Sequence, residues 1–167
     1  LYFGRYDKEK GIDTLLAAAK ALPQLHFVFA GSGTMAEEIQ QLPNATDVGF
    51  CTGDDLYRRI AAAKCSIYPS VWYENCPYSV MESIALGTPV LGTNIGGIPE
   101  LIEDGKTGWL VPPGDARALA ARLDEILDLP EARKAEVRAA ALASVRANYS
   151  VSKMCAATLA LYRALAS

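Results

Sequence analysis

A chain of 167 residues, 51% apolar and 21% charged, has the size and composition of one soluble globular domain, able to bury roughly 70% of its unfolded surface without staples. Its net charge of −3 excludes the broad basic footprint of a nucleic-acid binder, and no apolar run approaches the ~20 residues that span a bilayer. Cys51, Cys65, Cys76 and Cys155 form no C-x-x-C pair and His26 is the lone histidine, so no metal site is expected; the thiols read as reduced, mostly buried cysteines of a cytoplasmic protein.

In chain order, short apolar runs alternate with helical patterns. Leu1-Tyr2-Phe3-Gly4 reads as a strand already under way with no signal peptide before it, and the expectation is a chain cut on its N-terminal side. The patterns predict strands over 1–3, 26–30, 47–50, 65–68, 89–92 and 109–111. Helices are predicted between them over 13–21, 34–41, 54–63, 78–86 and 98–103. Three helices follow without a strand, over 116–127, 131–148 and 151–166. Asp54, Asp115 and Ser150 are candidate N-caps, and Pro130 opens the penultimate helix. This alternation predicts an α/β fold with right-handed crossovers: a Rossmann-like, doubly wound parallel six-stranded sheet, helices on both faces, extra C-terminal helices, and one domain over 1–167. Such a sheet binds its ligand at the carboxyl ends of the strands.

The loops after the strands therefore matter most. The first strand exits into Gly4-Arg5-Tyr6-Asp7-Lys8-Glu9-Lys10-Gly11, where Arg5 offers a fork for phosphate oxygens and Lys10 a mobile point charge. The turn Ala30-Gly31-Ser32-Gly33 is a weaker signal, because G-x-G alone often marks only a tight strand-to-helix turn. The segment from Tyr68 to Glu82 joins a strand to a helix, with Pro77 in the first helical turn. It sets Glu74 in the loop and Glu82 in the helix; the rise from Pro77 to Glu82 is roughly 7–8 Å at ~1.5 Å per residue. The free N–H groups of Cys76, Tyr78 and Ser79 would face an anion, aided by the helix dipole. A diphosphate flanked by hydroxyl-rich rings suits that layout. Gly96-Gly97, after the fifth strand, would let backbone amides touch a ligand. Glu100 is explained by the helix dipole alone.

Taken together these segments resemble the C-terminal domain of GT-B-fold retaining glycosyltransferases, the glycosyl transferases group 1 set that includes glycogen synthase-like and mannosyltransferase-like enzymes. The shared pattern is G-R-x4-K-G, F-A-G-S-G, P-S followed by E-x7-E from Glu74 to Glu82, A-L-G-x-P-V, G-G-x-x-E, and D-G-x-x-G-x-L-V-x-P-x-D from Asp104 to Asp115. The resemblance implies that Arg5 and Lys10 bind the diphosphate of a UDP- or GDP-sugar and stabilise the leaving group. It gives Glu82 the ribose hydroxyls and Glu74 the transferred hexose. Gly4, Gly31 and Gly33 would line the donor site, and amides of Asn75, Cys76, Pro77-Tyr78, Ser79, Gly96 and Gly97 would hold phosphate or sugar. The base would lie near Gly49, Phe50 and Cys51. It implies further a reaction without a protein nucleophile or metal, in which preorganised positive charge is the main catalytic term.

The same resemblance implies partners: a nucleotide-sugar donor, an N-terminal acceptor domain absent from this chain, and a glycan or lipid-linked acceptor of the kind used in bacterial polysaccharide or glycolipid synthesis. It implies a cytoplasmic location, with the missing domain at the membrane's cytoplasmic face. His26 is read as structural, within a strand. Alone, the chain is expected to bind donor but not turn over. Competing readings are a non-catalytic nucleotide-sugar-binding module and a nucleotide-sugar 2-epimerase. An NAD-dependent dehydrogenase lacks its G-x-G-x-x-G here, and a glycosidase would need its carboxylates about a glycosidic bond. The final helix is expected to expose Val151, Met154, Leu161, Tyr162 and Leu165.

Overall fold

The computed structural model describes residues 1–166. Strands β1 (Tyr2–Arg5), β2 (Phe27–Ser32) and β3 (Ala45–Asp47) form one parallel sheet in the order β1-β2-β3. Strands β4 (Ser66–Tyr68), β5 (Val90–Thr93) and β6 (Trp109–Val111) form a second, in the order β4-β5-β6. All six expected strands are present and parallel, in two three-stranded ladders that adjoin along β1 and β4, where the Leu1 nitrogen donates to the Cys65 carbonyl at 2.8 Å. They meet at Leu1, whose carbonyl accepts from the Ile67 N–H at 2.8 Å. The ladder cannot continue along β4, because the next inward-facing donor position is Pro69, which has no N–H.

The helices are α1 (Ile12–Ala21), α2 (Ala36–Gln40), α3 (Gly53–Ala62), α4 (Tyr78–Ala85), α5 (Ile98–Leu101), α6 (Ala116–Asp128), α7 (Glu131–Asn148) and α8 (Val151–Leu165). Asp115 and Ser150 cap α6 and α8 through hydrogen bonds from Ala118 N–H and Lys153 N–H. Thr52, not Asp54, takes the N-cap position of α3, leaving Asp54 and Asp55 in its first turn. The third strand ends at Asp47 instead of running to 50. The Asp47 carboxylate accepts from the Gly49 N–H at 2.9 Å and the Tyr6 hydroxyl at 2.9 Å, and Gly49 turns the chain with φ +71°.

Buried side chains from β1, β2, α1 and α6, among them Tyr2, Phe29, Leu15 and Leu119, form the main core. A second cluster joins Tyr68, Val80, Ile84, Val90 and Ile98 beneath α4 and α5. Tyr2, Tyr6 and Phe29 pack with ring centroids 6.0–6.2 Å apart. Helix α8 buries no residue, and the five apolar side chains expected on its surface are 58–75% exposed. The cysteines depart from expectation: only Cys65 is buried, Cys51 is half-buried, and Cys76 and Cys155 are exposed, all as free thiols. His26 lies outside β2, exposed, with its Nε2 3.1 Å from Thr46 Oγ1. No helix among the described residues is long and apolar enough to cross a membrane.

Candidate functional site

The carboxyl ends of the strands converge on one neighbourhood built from two halves. A cleft of about 200 Å³ at the exits of β1 and β2 is lined by Gly4, Arg5, Gly31, Phe50 and Cys51 among others. Phe50 is 77% exposed at its rim. A larger cavity, about 580 Å³, opens at the opposite end of the strands beside His26, Lys64 and Leu123, and none of the candidate donor-site residues lines it.

Gly31 and Gly33 serve first to let the two strand exits touch. A Cβ at Gly31 would lie 1.9 Å from the Gly4 carbonyl oxygen, and one at Gly33 would lie 2.5 Å from the Tyr6 nitrogen. Backbone, not ligand, fills the space those side chains would take.

The second half is the loop after β4. The short 3₁₀ turn Lys8–Lys10 ends in Gly11, whose φ of +71° and close approach to the Pro69 carbonyl admit only glycine. The Glu9 carbonyl accepts from Val71 N–H at 3.1 Å and Ser70 Oγ at 3.2 Å. Thr93 Oγ1 donates to the Ser70 carbonyl at 2.6 Å. Gly97 N–H donates to the Glu74 carbonyl at 2.6 Å, and a Cβ on Gly97 would lie 1.8 Å from the Asn75 oxygen. The Gly97 amide is therefore engaged within the protein, and the glycine pair acts by clamping the loop that carries Glu74.

That clamp brings Glu74 against Lys10 in a side-chain ion pair, each 18% exposed. Arg5 is turned elsewhere: Nη1 lies 3.0 Å from Asp7 Oδ2 and Nη2 2.6 Å from Glu9 Oε1. The Glu9 hydrogen bond and then the Asp7 charge hold the guanidinium further above its ordinary pKa. Tyr68, absent from the sequence-based site, has its hydroxyl beside Glu74 and Ser79. Burial, reinforced by the Glu74 charge, pushes it up to about 12. Tyr2 and Tyr68 both feel the charges of Arg5 and Glu74, which puts the two halves in one electrostatic neighbourhood.

Helix α4 begins at Tyr78 with Pro77 at its N-cap, one position earlier than expected, in extended conformation. Pro77 is buried, Ser79 half-buried, and Asn75, Cys76 and Tyr78 are exposed. Glu82, on the second turn, is half-buried and its carboxylate has no hydrogen-bond partner among the described residues; burial alone raises its pKa. An unpaired carboxylate in that position is a spare acceptor. Among the described residues no three His, Cys, Asp or Glu side chains converge as a metal-binding group. The site thus offers two cations held on carboxylates, an open helix start, and carboxylates on either side of it.

Residues 1–142 match the family described as Glycosyl transferases group 1. The chain is 33% identical over 151 residues to glycogen synthase of Mycobacterium tuberculosis, which covers 84% of this chain and 36% of that protein. Sucrose-phosphate synthase of Thermosynechococcus elongatus superposes with a TM-score of 0.86 at 29% identity, covering 98% of this chain and 44% of the other. Anabaena HepE, solved in complex with UDP-glucose, superposes with a TM-score of 0.81 at 24% identity, covering 95% and 47%. The chain spans between about a third and a half of these proteins. It belongs to the glycosyl transferases group 1 family, and its two parallel sheets with flanking helices have the architecture of one half of the GT-B fold.

Proposed function

We propose that this member of the glycosyl transferases group 1 family is the donor-binding domain of a retaining, metal-independent hexosyltransferase. It would hold a UDP- or GDP-sugar at the carboxyl ends of its strands and work with an N-terminal acceptor domain on a glycan or lipid-linked acceptor. The observation that carries this reading is the Lys10–Glu74 pair, clamped beside the open N-terminus of α4 with the unpartnered Glu82 on the next turn.

In this reading the diphosphate oxygens take over Lys10 and Arg5 and receive the free N–H groups at the start of α4. Charge-assisted hydrogen bonds of this type are roughly twice as strong as neutral ones. Glu82 accepts from the ribose hydroxyls and Glu74 from hydroxyls of the hexose. As the glycosidic bond to phosphate breaks, negative charge grows on the leaving oxygen where the two side-chain cations and the helix dipole already sit, and such preorganisation needs no reorganisation at the moment of reaction. The leaving phosphate accepts the acceptor's proton on the same face, so no protein nucleophile is required.

Calorimetry with UDP, GDP and ADP in the presence of a chelator tests the reading. One of them is expected to bind, and Arg5→Ala and Lys10→Ala should each weaken it about ten- to a hundredfold while barely touching the bare nucleoside. Binding that vanishes on chelation and returns with magnesium or manganese would overturn the metal-free site.

A further inference from the structure

Arg5 is gripped by two carboxylates that differ in how firmly they are fixed. Asp7 Oδ2 takes Nη1 at 3.0 Å, and Glu9 Oε1 takes Nη2 at 2.6 Å. The other oxygen of Asp7 is itself held: Thr34 Oγ1, shared with the Tyr6 carbonyl at 3.4 Å, lies 3.3 Å from Oδ1, and the Thr34 N–H reaches the same atom at 3.5 Å. The backbone beneath Asp7 is tied to the same turn, since Tyr6 N–H donates to the Ser32 carbonyl at 2.8 Å and Met35 N–H to the Tyr6 carbonyl at 2.9 Å. Asp7 is 23% exposed. Glu9 is 45% exposed, on a three-residue turn, and among the described residues its carboxylate touches no group but Arg5.

We infer that Asp7 is the positioning residue for Arg5: it keeps Nη1 in place while a diphosphate oxygen displaces Glu9 from Nη2. This rests on the donor-binding reading above and adds a division of labour between two residues of like charge. A long arginine side chain loses rotamer freedom when it meets a ligand, and Asp7, anchored through Thr34, has already restricted it. Glu9 has no such anchor and occupies the donor edge that the ligand needs. Repulsion alone cannot make this distinction, because both carboxylates oppose an incoming anion from comparable distance and removal of either would tighten binding.

The test uses that equality of charge. Asp7→Ala and Glu9→Ala are titrated with whichever of UDP, GDP or ADP the unaltered protein binds best. Asp7→Ala is expected to weaken binding about tenfold, whereas Glu9→Ala binds as tightly as the unaltered protein or more so. In an Arg5→Ala background the Asp7→Ala loss disappears, which a merely structural role would not produce. The two single variants shifting affinity in the same direction, or an undiminished Asp7→Ala loss without Arg5, overturns the inference. Should Asp7→Ala not fold, Asp7→Asn keeps an acceptor for Thr34 and should weaken binding in the same direction. If the unaltered protein binds none of the nucleotides, the donor-binding reading itself fails. Side-chain NMR relaxation of the free protein then judges the anchoring separately: Asp7→Ala should mobilise the Arg5 guanidinium more than Glu9→Ala, and equal mobilisation refutes it.

Discussion

Lys10 and Glu74, separated by 64 positions in sequence, meet as an ion pair in which each side chain retains 18% exposure. Neither strand end could bring them together alone. Lys10 closes the turn that leaves β1, and Glu74 lies in the loop that leaves β4, so the pair bridges the two sheets where their shared ladder stops. Backbone contacts do the aligning: Gly11 against Pro69, the Glu9 carbonyl against Val71, and Gly97 against Glu74 and Asn75.

The clamp makes a prediction about Gly97. Its backbone conformation, φ −82°, is open to any residue, so only the space is at issue. A methyl group there would lie 1.8 Å from the Asn75 oxygen, and the loop must move away. Forced shifts of this kind cost about 1–3 kcal/mol. Gly97→Ala should therefore lower the urea midpoint and weaken diphosphate binding together. An unchanged midpoint would show that the two loops separate without cost.

Glu82 should trade stability for binding. Its carboxyl is raised by burial with no compensating partner, so the folded state holds its proton to higher pH than the unfolded chain, whose carboxyl titrates near ~4.3. The sign follows from linkage: no penalty exists below the unfolded value, and stability is lost as pH rises from there through the raised folded value. Glu82→Gln should then match the unaltered protein in Tm near pH ~3, below the unfolded value, and exceed it at neutral pH. The same change should weaken nucleoside diphosphate and nucleotide-sugar alike, because both carry the ribose. Higher stability with unaltered affinity for both ligands would remove Glu82 from the site.

Much of this arrangement was legible in the sequence, because period and punctuation report local structure. The alternation of strand and helix patterns placed all six strands and eight helices within a few residues, and Asp115 and Ser150 were readable as caps. The end of β3 depended on Tyr6 reaching Asp47 across 41 positions, which no local pattern records. The sequence marks Tyr68 as the end of a strand and the start of the Glu74 loop but not as a site residue, since a tyrosine that ends a buried strand has the same pattern whether its hydroxyl meets carboxylate or core. The Asp7–Thr34 and Arg5–Asp7 contacts join side chains whose types fit any solvated turn. Free cysteine packs as a small hydrophobe, which is why the four thiols read as mostly buried; Cys76 and Cys155 sit on exposed segments instead.

The last prediction separates the two roles open to Glu74. As counter-ion it occupies Lys10 in the free protein; as acceptor it would meet the hexose after Lys10 has turned to the diphosphate. A counter-ion alone competes with every phosphate ligand. Glu74→Gln would then tighten the sugar-free diphosphate and the nucleotide-sugar by the same factor. If Glu74 also receives sugar hydroxyls, the variant loses hydrogen bonds to a charged group, worth about 1.5–3 kcal/mol each, or about ten- to a hundredfold. That loss falls on the nucleotide-sugar alone. The expected outcome is that the diphosphate binds Glu74→Gln at least as tightly as the unaltered protein, while the nucleotide-sugar loses its advantage over the diphosphate. Lys10→Ala behaves differently: it leaves a half-buried carboxylate facing the phosphates without its cation and should weaken both ligands. Titrating the two variants with UDP and UDP-glucose, and with GDP and GDP-mannose, gives the comparison directly. A constant ratio of the two affinities across Glu74→Gln would leave Glu74 as the partner of Lys10 and nothing more.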